Sequence, residues 1–247
     1  MAMTVAETSH LSHLKGRFIV LDGPDGCGKS TQLRLLADAC VHGGLDVQTC
    51  RDPGGTAIGV RIRDILLGGD LPTMDAHCEV LLFMASRAQL CSEVVRPALA
   101  RGATVLCDRF VSATCAYQGA LGVPPRQIIE LAEFAVAGTW PDATVILDVD
   151  VDLGLARVDQ RHAERAGVSS AAVATAAREA EATAHTLFGR RDAMESRSVE
   201  FHGQVRKQFL DLPSIYPTPI IAVDGSAPVE AVHQRIIEGL ASCRFQT

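Results

Sequence analysis

Residues Gly23-Pro24-Asp25-Gly26-Cys27-Gly28-Lys29-Ser30-Thr31 decide the fold. They satisfy the pattern G-x-x-x-x-G-K-[S/T], and they stand in the context this pattern requires. An apolar run, Phe18–Leu21, precedes them. A helical stretch from Lys29 to Val41, carrying Leu33, Leu35, Leu36 and Ala39, follows and stops at Gly43-Gly44. A strand that feeds a glycine-rich turn into a helix makes a phosphate cradle. Glycines let backbone N–H groups turn inward, and the helix N-terminus adds a positive dipole. Gly23, Pro24, Asp25, Gly26, Cys27, Gly28, Lys29, Ser30 and Thr31 are therefore the candidate nucleotide-binding residues. Lys29 is expected on the β- and γ-phosphates and the Ser30 hydroxyl on magnesium. The chain has three lysines (Lys15, Lys29 and Lys207) against twenty arginines, so a lysine placed here fits a specific role.

Working outward, four more apolar or β-branched runs follow: Leu45–Cys50, Ala103–Cys107, Ala143–Val149 and Pro219–Val223. Several lack alternation, as strands buried on both faces of a parallel sheet do. Helical stretches separate them. One spans Met74 to Arg101, one opens at Pro124-Pro125 and runs to about Ala137, and one opens at Pro228. The alternation predicts an α/β phosphate-loop NTPase fold: a five-stranded parallel sheet flanked by helices, with a mobile lid. The expected organisation is a disordered tail over residues 1–15 and a single domain over 16–247, with a lid insertion at about 158–191. Within it, ten of the twenty-two residues from Ala163 to Ala184 are Ala, and large apolar anchors are almost absent. That stretch reads as an exposed helix or flap.

The 247 residues are 47% hydrophobic and 21% charged, with a net charge of −6. This excludes wholesale disorder and argues against a general nucleic-acid or membrane-surface binder. No run approaches the roughly 20 apolar residues of a membrane span. The first fifteen residues have no apolar core of a secretory signal. The eight cysteines show no C-x-x-C pair and no zinc spacing, so they read as buried hydrophobes in a reducing cytoplasm.

Beyond the loop, three further motifs resemble those of the thymidylate kinase family. Arg51-Asp52-Pro53-Gly54-Gly55-Thr56 is similar to R-E-P-G-G-T. Leu82-Phe83-Met84-Ala85-Ser86-Arg87 is similar to F-x-A-x-R, and Asp108-Arg109-Phe110-Val111-Ser112-Ala113-Thr114-Cys115-Ala116-Tyr117-Gln118-Gly119 to D-R-[YFH]-x-x-S-x-x-A-Y-Q-G. The resemblance runs from Phe18 to about residue 240. It implies transfer of the γ-phosphate of ATP to dTMP, giving dTDP and ADP for dTTP biosynthesis, with magnesium and a homodimer. Two alternatives stay open: a kinase of another deoxynucleoside monophosphate, or a nucleotide-binding regulator with weakened catalysis.

The residues support this independently in part. Arg51 and Arg109 end two neighbouring strands at the carboxyl edge, where α/β sheets bind ligands, and guanidinium forks suit a phosphate dianion. Phe83 and Arg87 share a helix face. Periodicity alone makes Phe83 a core aromatic; the resemblance implies that it stacks on thymine while Arg87 bonds a base oxygen. It also implies that Tyr117 disfavours a 2′-hydroxyl and that Thr114 and Gln118 read the thymine edge. Asp52 and Pro53 join the substrate side. Asp108 could hold a magnesium-bound water, and Asp25 would sit between the magnesium shell and the acceptor. Ala113 and Ala193 depart from the family's Ser and Arg. With no Arg in the phosphate loop, as in the bacterial type, the lid is expected to supply the cation. Arg157, Arg161, Arg190 and Arg191 are the candidates.

Overall fold

The computed structural model describes residues 9–68, 74–165, 194–195, 197–243 and 245. The strands are β1 (Phe18–Asp22), β2 (Val47–Arg51), β3 (Thr104–Asp108), β4 (Ala143–Asp148) and β5 (Ile220–Asp224). All pairings are parallel, in the order β2-β3-β1-β4-β5. β1, β3 and the first five residues of β4 are wholly buried, and the edge strands are partly exposed along most of their length. This explains why the central runs are apolar without alternation. The register sets Arg51 opposite Asp108, and Leu21 opposite Asp108 on the other side. Strand ends therefore deliver charged residues to one carboxyl edge, at the point where the chain order turns about β1.

Helices cover both faces. In chain order they are α1 (Lys29–His42), α2 (Ala57–Leu67), α3 (Ala76–Leu90), α4 (Arg96–Ala100) and α5 (Val111–Ala120). Then follow α6 (Pro125–Val136), α7 (Val151–Arg165), α8 (Val199–Asp211) and α9 (Val229–Ser242). One apolar core contains Phe18, Val105, Phe110 and Phe209, on the α3, α5 and α8 side. The other contains Ile19, Leu36, Val145 and Ile236, under α1 and α9.

Three expectations need correction. First, the tail is not wholly disordered. Ser9–Leu14 form a 3-10 helix, Leu11 and Leu14 are fully buried, and the Thr104 hydroxyl donates to Leu14 O at 2.8 Å. Two leucines three residues apart contribute about 1.5–3 kcal/mol each when buried, enough to dock a short turn. Residues 1–8 lie outside the described residues. Second, the expected Met74–Arg101 helix starts later and changes pitch. Asp75 caps it, accepting from His77 N and Cys78 N, and a π-helical turn over Cys91–Val95 joins α3 to α4. Pro97 lies in the first turn of α4. Its ring cannot pack against an α-helical carbonyl four residues back, and the wider turn relieves that clash. Third, α2, α5 and α8 stand where the sequence reading named no helix. Thr56 caps α2 by accepting from Gly59 N, and Ser198 caps α8 by accepting from Phe201 N. The lid insertion lies outside the described residues from 166 to 193.

Candidate active site

The loop between β1 and α1 bends at Gly23 (φ 135°), Gly26 (φ 74°) and Gly28 (φ 95°). Two of these glycines are also forced by contact. A Cβ would lie 2.4 Å from Leu147 O at Gly23 and 2.0 Å from Gly154 O at Gly26. The Lys29 ammonium folds back over this loop and donates to Gly23 O at 2.9 Å and Pro24 O at 2.7 Å. The buried Cys27 sulfur lies 3.4 Å from it. Gly28, Lys29, Ser30 and Thr31 line a cavity of about 440 Å³, within the range of small-molecule sites. The Ser30 hydroxyl donates to Asp108 Oδ2 at 3.3 Å.

Asp22, at the end of β1, is the fully buried hub beneath this floor. It accepts from Gly23 N at 2.9 Å, Ser112 Oγ at 2.6 Å and Phe110 N at 3.4 Å. Burial pushes its carboxyl above the ordinary value despite the pull of Arg109. Arg109 follows β3 with φ 70°, a left-handed conformation that costs a non-glycine residue about 1 kcal/mol. Ion pairs hold it there. Its guanidinium lies 2.5 Å from Asp25 Oδ1 and 3.4 Å from Asp22 Oδ1, and sits 5.0 Å over the Tyr117 ring. The Tyr117 hydroxyl donates to Asp25 Oδ2 at 2.6 Å. Burial opposes the Asp25 charge, but Arg109, Lys29 and the Tyr117 hydroxyl together hold its carboxyl below the ordinary value. Asp108 follows the same pattern: burial opposes its charge, while Lys29, Arg109 and Arg51 lower it overall. Burial, the largest effect, raises the Tyr117 phenol well above its ordinary value, so it stays a donor.

The other end of the cavity is built from α3 and α5. Arg87 is 1% exposed and forms a buried ion pair with Asp52, Nη2 to Oδ2 2.6 Å. Removing one partner of such a pair costs about 3–5 kcal/mol. The same guanidinium donates to Thr114 Oγ1 and to Phe110 O, each at 3.0 Å. Asp52 therefore positions Arg87, and Arg87 positions Thr114. Phe83, Pro53, Thr114, Tyr117 and Gln118 all contribute to the cavity lining. Phe83 also packs against the core, so its core reading and its lining role coexist. Arg51, half exposed, donates to Asp108 Oδ2 at 3.0 Å. Behind Tyr117, Phe201 and Phe209 of α8 pack at ring centroid distances of 6.3 and 6.2 Å.

Two of the four expected lid cations are described, Arg157 and Arg161. They lie one helical turn apart on α7, and both line the cavity. Arg157 Nη1 donates to Gly225 O at 3.1 Å and lies 3.5 Å from Gly26 O. Arg161 pairs with Glu195 at 3.2 Å. Arg190 and Arg191 lie outside the described residues. Sequence reasoning missed Asp22, Glu79 and Arg63. Asp22 could have been found as the last polar residue of an apolar strand before the glycine turn. Glu79 lies four residues before Phe83 and eight before Arg87, on their helix face. Arg63 lines the cavity and donates to Pro53 O at 3.1 Å, but nothing in the sequence reading set it apart from the other surface arginines.

The family model described as thymidylate kinase matches residues 21–185. A thymidylate kinase of Pseudomonas putida (strain GB-1) is 40% identical over 228 residues, covering 92% of this chain and 95% of that protein. A thymidylate kinase of Exiguobacterium is 37% identical over 226 residues, covering 91% and 94%. The crystal structure of thymidylate kinase from Ehrlichia chaffeensis superposes with a TM-score of 0.63 at 27% identity, covering 91% of this chain and 98% of that one. With its phosphate loop, the paired charges at the sheet edge and these matches along most of its length, the chain belongs to the thymidylate kinase family.

Proposed function

We propose that this cavity transfers the γ-phosphoryl group of ATP to dTMP, and that the residues above divide the work. The reaction is phosphoryl transfer to dTMP, giving dTDP. The observation that carries the reading is one continuous cavity with the phosphate loop at one end and the Phe83, Arg87, Thr114 and Gln118 cluster at the other. ATP enters on the loop, with Lys29 leaving its carbonyl partners for the β- and γ-phosphates. The acceptor is a phosphate oxygen, already largely ionised near neutral pH, so no general base is needed. Catalysis is positioning and charge neutralisation. Arg109 and Arg51 neutralise the acceptor phosphate, and Arg157 with Arg161 approach the transferring group from α7. Ser30 and Asp108 fit magnesium: one hydroxyl and one carboxylate are the sparse protein ligands it takes when substrate phosphates complete its shell. Magnesium, when bound, supplies charge neutralisation on the phosphate oxygens. The reading of a regulator without turnover is not favoured, because the family match extends across both ends of the cavity.

A coupled assay with ATP and a panel of nucleoside monophosphates tests this. dTMP should be the preferred acceptor and its ribonucleotide counterpart a poor one. The Tyr117→Ala variant should narrow that gap by about tenfold, the scale of a lost steric exclusion in a pocket. Equal use of all monophosphates by the parent would remove the dTMP assignment. An unchanged gap in the variant would remove Tyr117 as the gate.

A homodimer is part of this proposal. Phe134 on α6 is 89% exposed, and Ile58, Val60 and Ile65 of α2 and Leu81 of α3 are exposed too. α3 packs against both α2 and α6, so the helices that carry these side chains are neighbours. Such apolar surface suits a subunit interface. Sedimentation equilibrium should give twice the chain mass, and a Leu81→Glu, Phe134→Glu double variant should sediment as a monomer. All eight cysteines are free thiols, which supports a cytoplasmic setting. Among the described residues no helix is long and apolar enough to cross a membrane.

A further inference from the structure

Gln118 is fully buried, and its two amide atoms differ in their surroundings. Nε2 donates to Glu79 Oε2 at 2.8 Å, whereas Oε1 has no hydrogen-bond partner among the described residues. The assignment of nitrogen and oxygen is forced. A carboxylate only accepts, so the NH₂ group must be the one that faces it. Gln118 then presents its unpartnered oxygen, beside the second N–H of the same amide, to a ligand in the cavity it lines. Glu79 is itself pinned. Its other oxygen, Oε1, accepts from Arg197 Nη2 at 2.8 Å, and Arg197 rests 4.7 Å over the Phe201 ring. Glu79 is 5% exposed, and each of its carboxylate oxygens has a partner inside the protein.

Thr114 lies one turn before Gln118 on the same face of α5. Its Oγ1 accepts from Arg87 Nη2, which leaves the hydroxyl proton to be donated elsewhere. The cavity wall therefore offers a donor beside an acceptor. A thymine or uracil ring presents the complement, a C4 carbonyl beside an N3–H. Cytosine presents the reverse, an amino group beside an unprotonated N3.

We propose that Glu79 is a positioning residue that holds the Gln118 amide with its oxygen toward the base, and so makes the site select an imide pyrimidine over an aminopyrimidine. This rests on the dTMP reading above. Glu79 touches no substrate atom; it acts through Gln118. Arg197 bonds the other carboxylate oxygen, so it links the segment that follows the lid insertion to Glu79 without taking part in the Glu79–Gln118 bond.

The test compares kcat/KM for dTMP and dCMP at saturating ATP in the parent, Glu79→Gln, Arg197→Met and Gln118→Leu. A Gln at position 79 keeps its oxygen toward the Arg197 donor and turns its NH₂ to Gln118, so the Gln118 amide turns its oxygen away from the cavity. The dTMP-to-dCMP ratio should fall by about tenfold or more in Glu79→Gln, through KM for the monophosphates, with KM for ATP at the parental value. Arg197→Met leaves the Glu79–Gln118 bond and should keep the ratio. A parental ratio in Glu79→Gln overturns the proposal. So does an Arg197→Met variant that loses as much selectivity, because charge rather than amide orientation would then be the agent. If Glu79→Gln fails to melt cooperatively, Gln118→Leu decides: loss of the ratio supports the proposal and a parental ratio overturns it. A parent inactive on dTMP overturns the dTMP reading together with this proposal. A parent selective for dTMP, with Glu79→Gln equally selective, overturns the role of Glu79 alone.

Discussion

A Lys29→Ala variant is expected to stay folded and to lose phosphoryl transfer by at least about 10³-fold, the scale of removing a fixed positive charge from a developing anion. Lys29 is one of three cations, with Arg51 and Arg109, that face the three carboxylates Asp22, Asp25 and Asp108 at the sheet edge. Asp22, Asp25 and Asp108 all feel its charge. Its ammonium is already held over the loop by Gly23 O and Pro24 O, so it needs only a short swing to reach a phosphate. The structural cost is smaller. Two hydrogen bonds to carbonyls are lost, each worth on the order of 1 kcal/mol. Steady-state kinetics beside a thermal melt separates the two effects. A folded variant with near-parental turnover would remove the loop from the mechanism.

The Arg157→Ala, Arg161→Ala double variant should lower turnover by about 10³-fold while KM for dTMP changes little. The reason is charge accounting. The three carboxylates at the sheet edge already match Lys29, Arg51 and Arg109 in number, and Arg87 is neutralised by Asp52. The phosphates of two nucleotides then arrive with several further negative charges. The two arginines of α7 line the cavity and are held by weak partners: carbonyl oxygens for Arg157, and a partly exposed pair with Glu195 for Arg161. They are free to re-pair at small cost. Single-turnover measurements with saturating ATP check the outcome. Parental turnover in the double variant would shift the role to Arg190 and Arg191, which a matching double variant examines.

Much of this was legible in the chain itself. The strands were readable because buried parallel strands are apolar throughout, and their ends moved by only one or two residues in the structure. The phosphate loop was readable because the glycine positions are dictated by φ and by contact with Leu147 and Gly154. α8 was passed over although Ser198, Phe201, Val205 and Phe209 follow a cap-and-four spacing; the Ala-rich stretch before it masked the signal. The 3-10 helix at Ser9–Leu14 was hidden because two leucines among polar residues carry no periodicity. At the site, residues that touch a ligand fell in motifs. Residues that orient them, such as Asp22 and Glu79, did not, because their role depends on which side chains the fold brings to them.

The contact between Gly26 and Gly154 has a meaning for anyone who would rebuild the lid. The two backbones meet with no side chain between them. A methyl group on Gly26 would overlap Gly154 O, and one on Gly154 would lie 2.7 Å from Asp25 O. Neither position can drift first while the other waits, so the two are bound as a pair in any lineage or library. The phosphate loop and the root of α7 thus behave as one mechanical part, and the exchangeable module begins only beyond it. A graft of a shorter or longer lid that starts after Arg161 inherits both cations and the joint intact. One that starts before Gly154 replaces the joint itself.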